Sequence, residues 1–325
     1  MKHYDVTALG ELLVDFTESG VSPSGNILLE ANPGGAPCNV LAMLRKLGKK
    51  CAFIGKVGED AFGDMLEDTL ISAGIGTGGL TRDTRVHTTL AFVHTMAGGE
   101  RSFSFYRNPG ADMNLRPEEL DDSLLRGCRI FHFGTLSLTN EPCREATRTA
   151  VACAREAGAL ISFDPNLRES LWSSLDLARE QIHWGLAQCD ILKISDNELS
   201  FMTGTEDFDK GAEMILRDHP QIRLLNVTTG EYGSYSYCGS IRCRVPVFRT
   251  DNVLEKTGAG DTFCACVLNY ILEHGIDGLA EEDLREMLTF ANAAAALIIQ
   301  RKGALKVMPE KEEIESLLLN IRQVR

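Results

Sequence analysis

No stretch of the 325-residue chain approaches the roughly 20 apolar residues that cross a bilayer, and its opening, MKHYDVTALGELLVDF, holds no continuous apolar run of secretory length. Neither a membrane span nor a leader is expected, and the expected location is the cytosol. Blocks of basic charge are also missing: 33 Lys and Arg are scattered among 46 Asp and Glu, for a net charge of −13. A nucleic-acid or anionic-membrane partner is therefore not expected. There is no CxxC. The ten cysteines lie inside apolar text such as TFCACVL and AVACAREAG, and Cys264 and Cys266 are too close to pair as structural zinc ligands. Reduced core cysteines and no zinc are expected. No internal repeat, linker or low-complexity segment occurs, and 44% hydrophobic with 24% charged residues is an ordinary globular balance. The length fits one large α/β unit or two modest domains.

Two nucleotide signatures fail as well. GxxxxGK[ST] does not occur, which excludes a P-loop kinase. GIGTGG at 74–79 satisfies GxGxxG, but it follows the helical text FGDMLEDTLISAG and leads into LTRDTRVHTT. A dinucleotide fingerprint follows a strand and opens a helix, so a dehydrogenase is not expected.

What is present from residue 129 onward is alternation. RIFHFGTLSL, ALISFDPN, ILKIS and IRLLNVTTG read as apolar strands, separated by the helical text PCREATRTAVACAREAG, LAREQIHWGLAQCD and DKGAEMILRDH. These are βαβ units, which predict a mostly parallel sheet covered by helices on both faces. Asp164, Asn166, Ser195, Thr228 and Gly230 follow the strands and should meet at their carboxyl ends, where open α/β sheets hold ligands. Between 85 and 107, RVHTTLAFVHTMAGGERSFSFYR reads as a hairpin turning at AGGE. With residues 11–30 it is expected to form a small β lid.

LEKTGAGDTFCAC, residues 254–266, is the stretch that points to chemistry. Phe263, Cys266, Val267, Tyr270 and Ile271 recur as one buried helical face and Gly275 supplies a stop, so a helix starts near Gly260. Glycines ahead of a helix let backbone N–H groups approach an anion, and the helix N-terminus adds positive potential. Asp261 on its own reads as an N-cap. An N-cap needs no preceding glycine pair, whereas a carboxylate beside an anion hole can take the proton of a hydroxyl attacking a phosphoryl group.

TGAGD before an apolar helix resembles the C-terminal signature of the PfkB, or ribokinase-like, carbohydrate kinases. GELLVDF (10–16), PGGAPCNVLAMLRKLG (33–48) and FIGKVGEDAFGDML (53–66) resemble the N-terminal part of that family. FYRNPGADMNL, SFDPNLR, KISDNELSFMTG, VTTGEYG and ANAAAALIIQRKGA follow in the family's order, and FYRNPGADM with DPNLR is characteristic of the fructokinase branch. The resemblance implies a three-layer α/β/α sandwich spanning 1–325, with a β lid from roughly 11–30 and 85–110. It implies ATP-dependent phosphorylation of a sugar, D-fructose to D-fructose 6-phosphate in that branch, with Mg²⁺ and a homodimer through the lid.

The same resemblance implies roles for residues. Asp261 would be the base, and Gly258, Ala259 and Gly260 would frame the anion hole. Asp15, Gly34, Gly35 and Asn39 would bind sugar hydroxyls, with Arg107 brought over the sugar and Asn166 and Arg168 on substrate or phosphate. Ser195, Glu198, Thr228, Gly230, Gly233 and Asn292 would face the nucleotide, Glu198 holding Mg²⁺ through water. Taken without the family, GGAP is a turn, Gly233 a hairpin turn and Arg168 a solvated surface residue. Glu255, Thr257, Ile298, Arg301 and Gly303 occupy the places of a monovalent-cation site, K⁺ in relatives. The chain departs from that pattern at Glu255, where Asp is usual, and at Val307, where a hydroxyl residue is usual, which leaves K⁺ open. Cys38 replaces the common Ala or Gly beside the sugar and is expected to be buried and inert. Kinases of ribose, 2-keto-3-deoxygluconate or a nucleoside, and a silent sugar-binding regulator, remain the alternatives.

Overall fold

The computed structural model describes residues 2–95, 101–250 and 252–323. Its strands, in chain order, are β1 (Tyr4–Leu9), β2 (Leu13–Val21), β3 (Ile27–Gly34), β4 (Cys51–Gly58), β5 (Gly76–Asp83), β6 (Leu90–Thr95) and β7 (Arg101–Tyr106). They continue with β8 (Cys128–Gly134), β9 (Leu160–Asp164), β10 (Ile191–Ser195), β11 (Leu224–Thr228), β12 (Ser234–Cys238) and β13 (Ile241–Val245). The helices are α1 (Ala36–Lys46), α2 (Ala61–Ser72), α3 (Asp122–Arg126), α4 (Cys143–Glu156) and α5 (Leu175–Gln188), then α6 (Asp196–Thr203), α7 (Phe208–Asp218), α8 (Ala259–His274), α9 (Glu281–Ile298) and α10 (Lys311–Gln323).

Nine strands form the central sheet in the order β13-β12-β11-β10-β9-β8-β1-β4-β5, all in one direction except β12, which pairs antiparallel with both β11 and β13. Alternate residues along each strand serve opposite faces. Val6, Ala8, Ile191 and Leu224 pack with α1, α8 and α9, while Leu9, Leu192, Ile194 and Leu225 pack with α4, α5 and α7. The result is the expected three-layer α/β/α sandwich, and the strand carboxyl ends bearing Asp164, Ser195 and Thr228 share one edge.

A second sheet, β3-β2-β6-β7, is formed from the two segments read as the lid. Here β6 and β7 pair antiparallel, and β2 runs parallel to β6. The AGGE turn lies outside the described residues. GIGTGG runs straight into β5, which explains why its glycines open no helix.

Helix α8 departs from the expected amphipathic pattern. Every residue from Asp261 to Leu272 is buried, because α1 and α9 pack on it from the sides that the sheet leaves open. Its apolar residues at 263, 266, 267, 270 and 271 are one part of a wholly buried surface. It ends at Gly275, whose φ of 84° suits only a residue without a side chain.

Candidate active site

Gly258 is the N-cap of α8 in a left-handed conformation, φ 81°, and a Cβ there would come within 3.0 Å of Ala304 Cβ. The first turn of a helix leaves amides without intrahelical partners, and in α8 these belong to Ala259, Gly260 and Asp261. Ala259 N–H makes only a long 3.3 Å contact with Lys256 O. The turn thus presents positive backbone groups beside a carboxylate. Asp261 Oδ2 accepts from Asn39 Nδ2 at 2.8 Å and Oδ1 from Asn166 Nδ2 at 3.2 Å. Burial pushes its carboxyl above the ordinary value, opposed by the Asn39 hydrogen bond, Lys193, Arg168 and the Asn166 hydrogen bond.

Asn39 ties α1 to α8, and its Oδ1 is buried with no hydrogen-bond donor. That oxygen is ready to accept from a hydroxyl. The turn into α1 brings the predicted glycines close to Asp15. A Cβ on Gly34 would lie 2.4 Å from Asp15 Oδ2, and one on Gly35, at φ 126°, would lie 2.3 Å from Glu11 O. Both places exclude a side chain, Gly34 against β2 and Gly35 against the segment that leads into it. Burial pushes Asp15 up to about 7, with Arg168 pulling it down. Arg168 itself is exposed at the rim.

Arg107, expected over the sugar, lies buried among partners of its own. It is 4% exposed, and Nε donates to Asp112 Oδ2 (2.7 Å), Nη1 to Thr139 Oγ1 (3.0 Å) and Nη2 to Leu136 O (2.8 Å). Here the guanidinium staples the end of β7 to the loop after β8. Cys38 is buried, and burial raises its thiol, as expected of an inert core cysteine.

At the carboxyl ends of β9 and β10, Ser195 caps α6 and forms a reciprocal pair with Glu198: Glu198 N donates to Ser195 Oγ (3.3 Å) and Ser195 N to Glu198 Oε2 (2.8 Å). Glu198 Oε1 accepts from Leu167 N at 2.7 Å. Both carboxylate oxygens are thus held by backbone amides, which suits contact with a metal through water better than direct ligation.

A cleft of about 790 Å³ opens beside the α8 turn, lined by Thr228, Gly230, Gly233, Lys256, Gly260 and Asn292 among others. Gly233, at φ 97°, brings its backbone to Val245 O, where a Cβ would fall 2.2 Å away. Asn292 borders the cleft, but its amide group is occupied: Oδ1 accepts from Ser234 Oγ (3.0 Å) and Nδ2 donates to Val245 O and Pro246 O (both 3.2 Å). A groove of about 920 Å³ between α1 and α2 is larger and contains none of the predicted residues.

Residues from the two loops expected around a monovalent cation also meet. Leu254 and Glu255 donate backbone N–H bonds to Ile299 O, just past Ile298, and buried Glu255 accepts from Thr257 Oγ1 (2.8 Å) and Gly303 N (2.9 Å). Val307 adds no hydroxyl, and Arg301 Nη1 covers its carbonyl at 2.9 Å.

Residues 5–311 match the model of the pfkB family carbohydrate kinase. The chain belongs to that family. This pfkB-family protein is 45% identical over 315 residues to probable fructokinase-2 of Arabidopsis thaliana, covering 96% of this chain and 95% of the relative. Among solved structures it resembles a fructokinase with bound ATP from Xylella fastidiosa, with TM-score 0.88 and 32% identity over 98% of this chain and 99% of that one. A Vibrio cholerae fructokinase bound to fructose, ADP and calcium superposes with TM-score 0.86 at 30% identity, over 98% and 100% of the two chains.

The pfkB-family site also contains residues that the sequence reading passed over. Glu11 is 4% exposed, accepts from Ala36 N at 2.7 Å at the start of α1, and is pushed up to about 7 by burial. Lys193 is 6% exposed and ion-paired with Asp164. A lysine inside the apolar text ILKIS was the available signal, since charged residues are rarely buried without a partner.

Proposed function

We propose that this protein is an ATP-dependent sugar kinase that converts D-fructose to D-fructose 6-phosphate. The observation that carries the reading is Asp261 at the head of α8, hydrogen-bonded to Asn39 on the sugar side and flanked by the turn that borders the 790 Å³ cleft. Fructokinase relatives at 45% identity support fructose as the substrate, and the ATP-bound neighbour supports ATP as the donor.

In this reading Asp15 and Asn39 orient the sugar, Asn39 Oδ1 accepting a hydrogen bond from a hydroxyl. The C6 oxygen attacks the γ-phosphorus in line as the bond to the ADP oxygen breaks, and the hydroxyl proton passes to Asp261. Such a base contributes about 10²- to 10⁴-fold in rate. The α8 amides receive the charge of the transferring group. Glu198 would hold Mg²⁺ through water, and the ion would supply positive charge to the nucleotide's phosphates when bound. Thr228, Gly230, Gly233 and Lys256 border the nucleotide, and Asn292 keeps its wall in shape.

The four-stranded sheet serves as the lid of a single kinase unit. Val21 (62% exposed), Ile27 (65%) and Tyr106 (67%) leave apolar surface on it that supports a dimer. Ten free cysteines, nine of them buried, support a reducing, cytosolic setting, and no helix among the described residues is long and apolar enough to cross a membrane. Buried Glu255 between its two loops is compatible with a monovalent cation, whereas Val307 offers no hydroxyl, so comparing turnover with and without K⁺ tests whether the site works with that ion.

The test is ADP release from MgATP with fructose, ribose, 2-keto-3-deoxygluconate, mannose, glucose and a nucleoside, with and without K⁺. Preference for fructose is expected. Preference for another acceptor overturns the sugar and keeps the chemistry, and no turnover with any overturns the kinase.

A further inference from the structure

Lys193 lies near the end of β10 among residues that are otherwise apolar, with its ammonium under the head of α8. Its Nζ is 3.0 Å from Asp164 Oδ2 and 3.2 Å from Oδ1. From the other side, a Cβ on Gly260 would stand only 3.1 Å from that same Nζ, so the glycine backbone of the α8 turn rests directly against the ammonium. Asp164 Oδ1 also accepts from Asn166 N at 3.2 Å, and Asn166 turns its Nδ2 to Asp261 Oδ1 at 3.2 Å. An unbroken polar path therefore runs from Lys193 through Asp164 and Asn166 to Asp261. Asn166 holds a φ of 45°, unusual for a residue with a side chain, in making the last link.

Packing alone does not call for this arrangement. Replacing a buried ion pair by apolar residues of similar volume is often neutral or stabilising, so a pair kept inside a core invites a reason outside stability. The neighbourhood supplies one. Asp261 is faced by Asp164 from β9, Asp15 from β2, Asn39 from α1, Arg168 and Asn166 from the loop after β9, Lys193 from β10, and Cys264 from its own helix. Lys193 is the buried cation of that set, Arg168 being at the exposed rim. A polyphosphate arriving beside Asp261 adds negative charge and opposes ionisation of the base.

We propose that Lys193, fixed by Asp164, is a positioning residue for phosphoryl transfer: its charge keeps Asp261 ionised beside the incoming nucleotide and adds positive potential beneath the Gly258–Asp261 turn. The pull of Lys193 against the effect of burial on Asp261 agrees with this, as does the way that Asp164, Glu198 and Asp261 together hold Lys193 protonated. Gly260 then has a second reason to lack a side chain besides phosphate approach. The proposal rests on Asp261 being the base.

The experiment is the pH profile of kcat/KM for fructose at saturating MgATP in the full-length enzyme and its K193M, D164N and D261N variants, with Tm as a folding control. ATP's own titration is common to all and cancels in the comparison. K193M is expected to move the acid limb up by about one pH unit, within the range that nearby charges produce. D164N, which removes a neighbouring negative charge and keeps the side-chain shape, is expected to move it down. KM for fructose should change less than kcat in both. A purely structural pair would lower Tm and amplitude while leaving the limbs in place, and limbs that coincide with wild type or move together overturn the proposal. Should K193M not fold, K193Q takes its place: an upward shift supports the proposal and an unmoved limb overturns it. Near-normal turnover by D261N sinks the base reading itself, whereas an inactive D261N with unmoved limbs elsewhere sinks only the role of Lys193.

Discussion

Asn39 on α1 and Asp261 at the head of α8 are 222 residues apart and joined by a 2.8 Å hydrogen bond in the interior. Hydrogen bonds to a charged group contribute on the order of 1.5–3 kcal/mol. Together with the bond from Asn166 it fixes both oxygens of the carboxylate at the head of α8. Removing the charge while keeping the shape, with Asp261→Asn, should lower kcat by about 10²- to 10⁴-fold and leave fructose affinity within a few-fold of wild type. Steady-state kinetics with calorimetric binding measures both, and turnover near wild type excludes Asp261 as the base.

Gly34→Ala should act on the sugar. Its Cβ would collide with Asp15 Oδ2 at 2.4 Å and drive the carboxylate off its position. KM for fructose is expected to rise roughly tenfold or more, about 1.4 kcal/mol of binding, with KM for ATP little changed. Equal effects on both substrates would show that Asp15 does not serve the sugar.

Lys256 is an exposed cation on the 790 Å³ cleft proposed to hold the nucleotide. Lys256→Ala should raise KM for ATP about three- to tenfold, and added salt should shrink the difference from wild type. An unchanged KM for ATP would remove Lys256 from the nucleotide's surroundings.

Stability should depend on pH through Asp15 and Glu11. Burial raises their folded values from 3.8 and 4.5 to about 7. A carboxyl whose value is raised on folding favours the folded state while protonated, and that contribution is lost as pH rises from the unfolded to the folded value. Thermal melts of the free enzyme should therefore show these two groups stabilising below about pH 4 and costing stability by pH 7. Glu11→Gln should flatten the pH dependence of Tm across that window. A Glu11→Gln profile parallel to wild type would contradict the burial argument.

The large architecture was legible because each strand from residue 129 onward is short, apolar and separated by text of helical period, as ALISFDPN and PCREATRTAVACAREAG illustrate. The start of α8 was legible for a different reason: TGAG stands directly before an apolar helical period, and Gly258 is the N-cap. Arg107 was not, because two of its partners, Leu136 and Thr139, lie about thirty residues along the chain and beyond any local pattern. Asn292 likewise shows its occupied amide only once β12 and β13 are folded beside α9. The all-round burial of α8 escaped a one-face reading because α1 and α9 cover its remaining sides.

That burial ties catalysis to the integrity of the whole molecule. Asp261 stands on an element enclosed by the sheet and two helices, with no flank free to loosen alone. A gentle warming or a low dose of denaturant that melts surface loops should thus spare the catalytic carboxylate's alignment, and thermal inactivation should coincide with global unfolding. Any rearrangement on ligand binding is then expected in the loops and the four-stranded sheet, with Asp261 held as firmly as the buried helix that carries it.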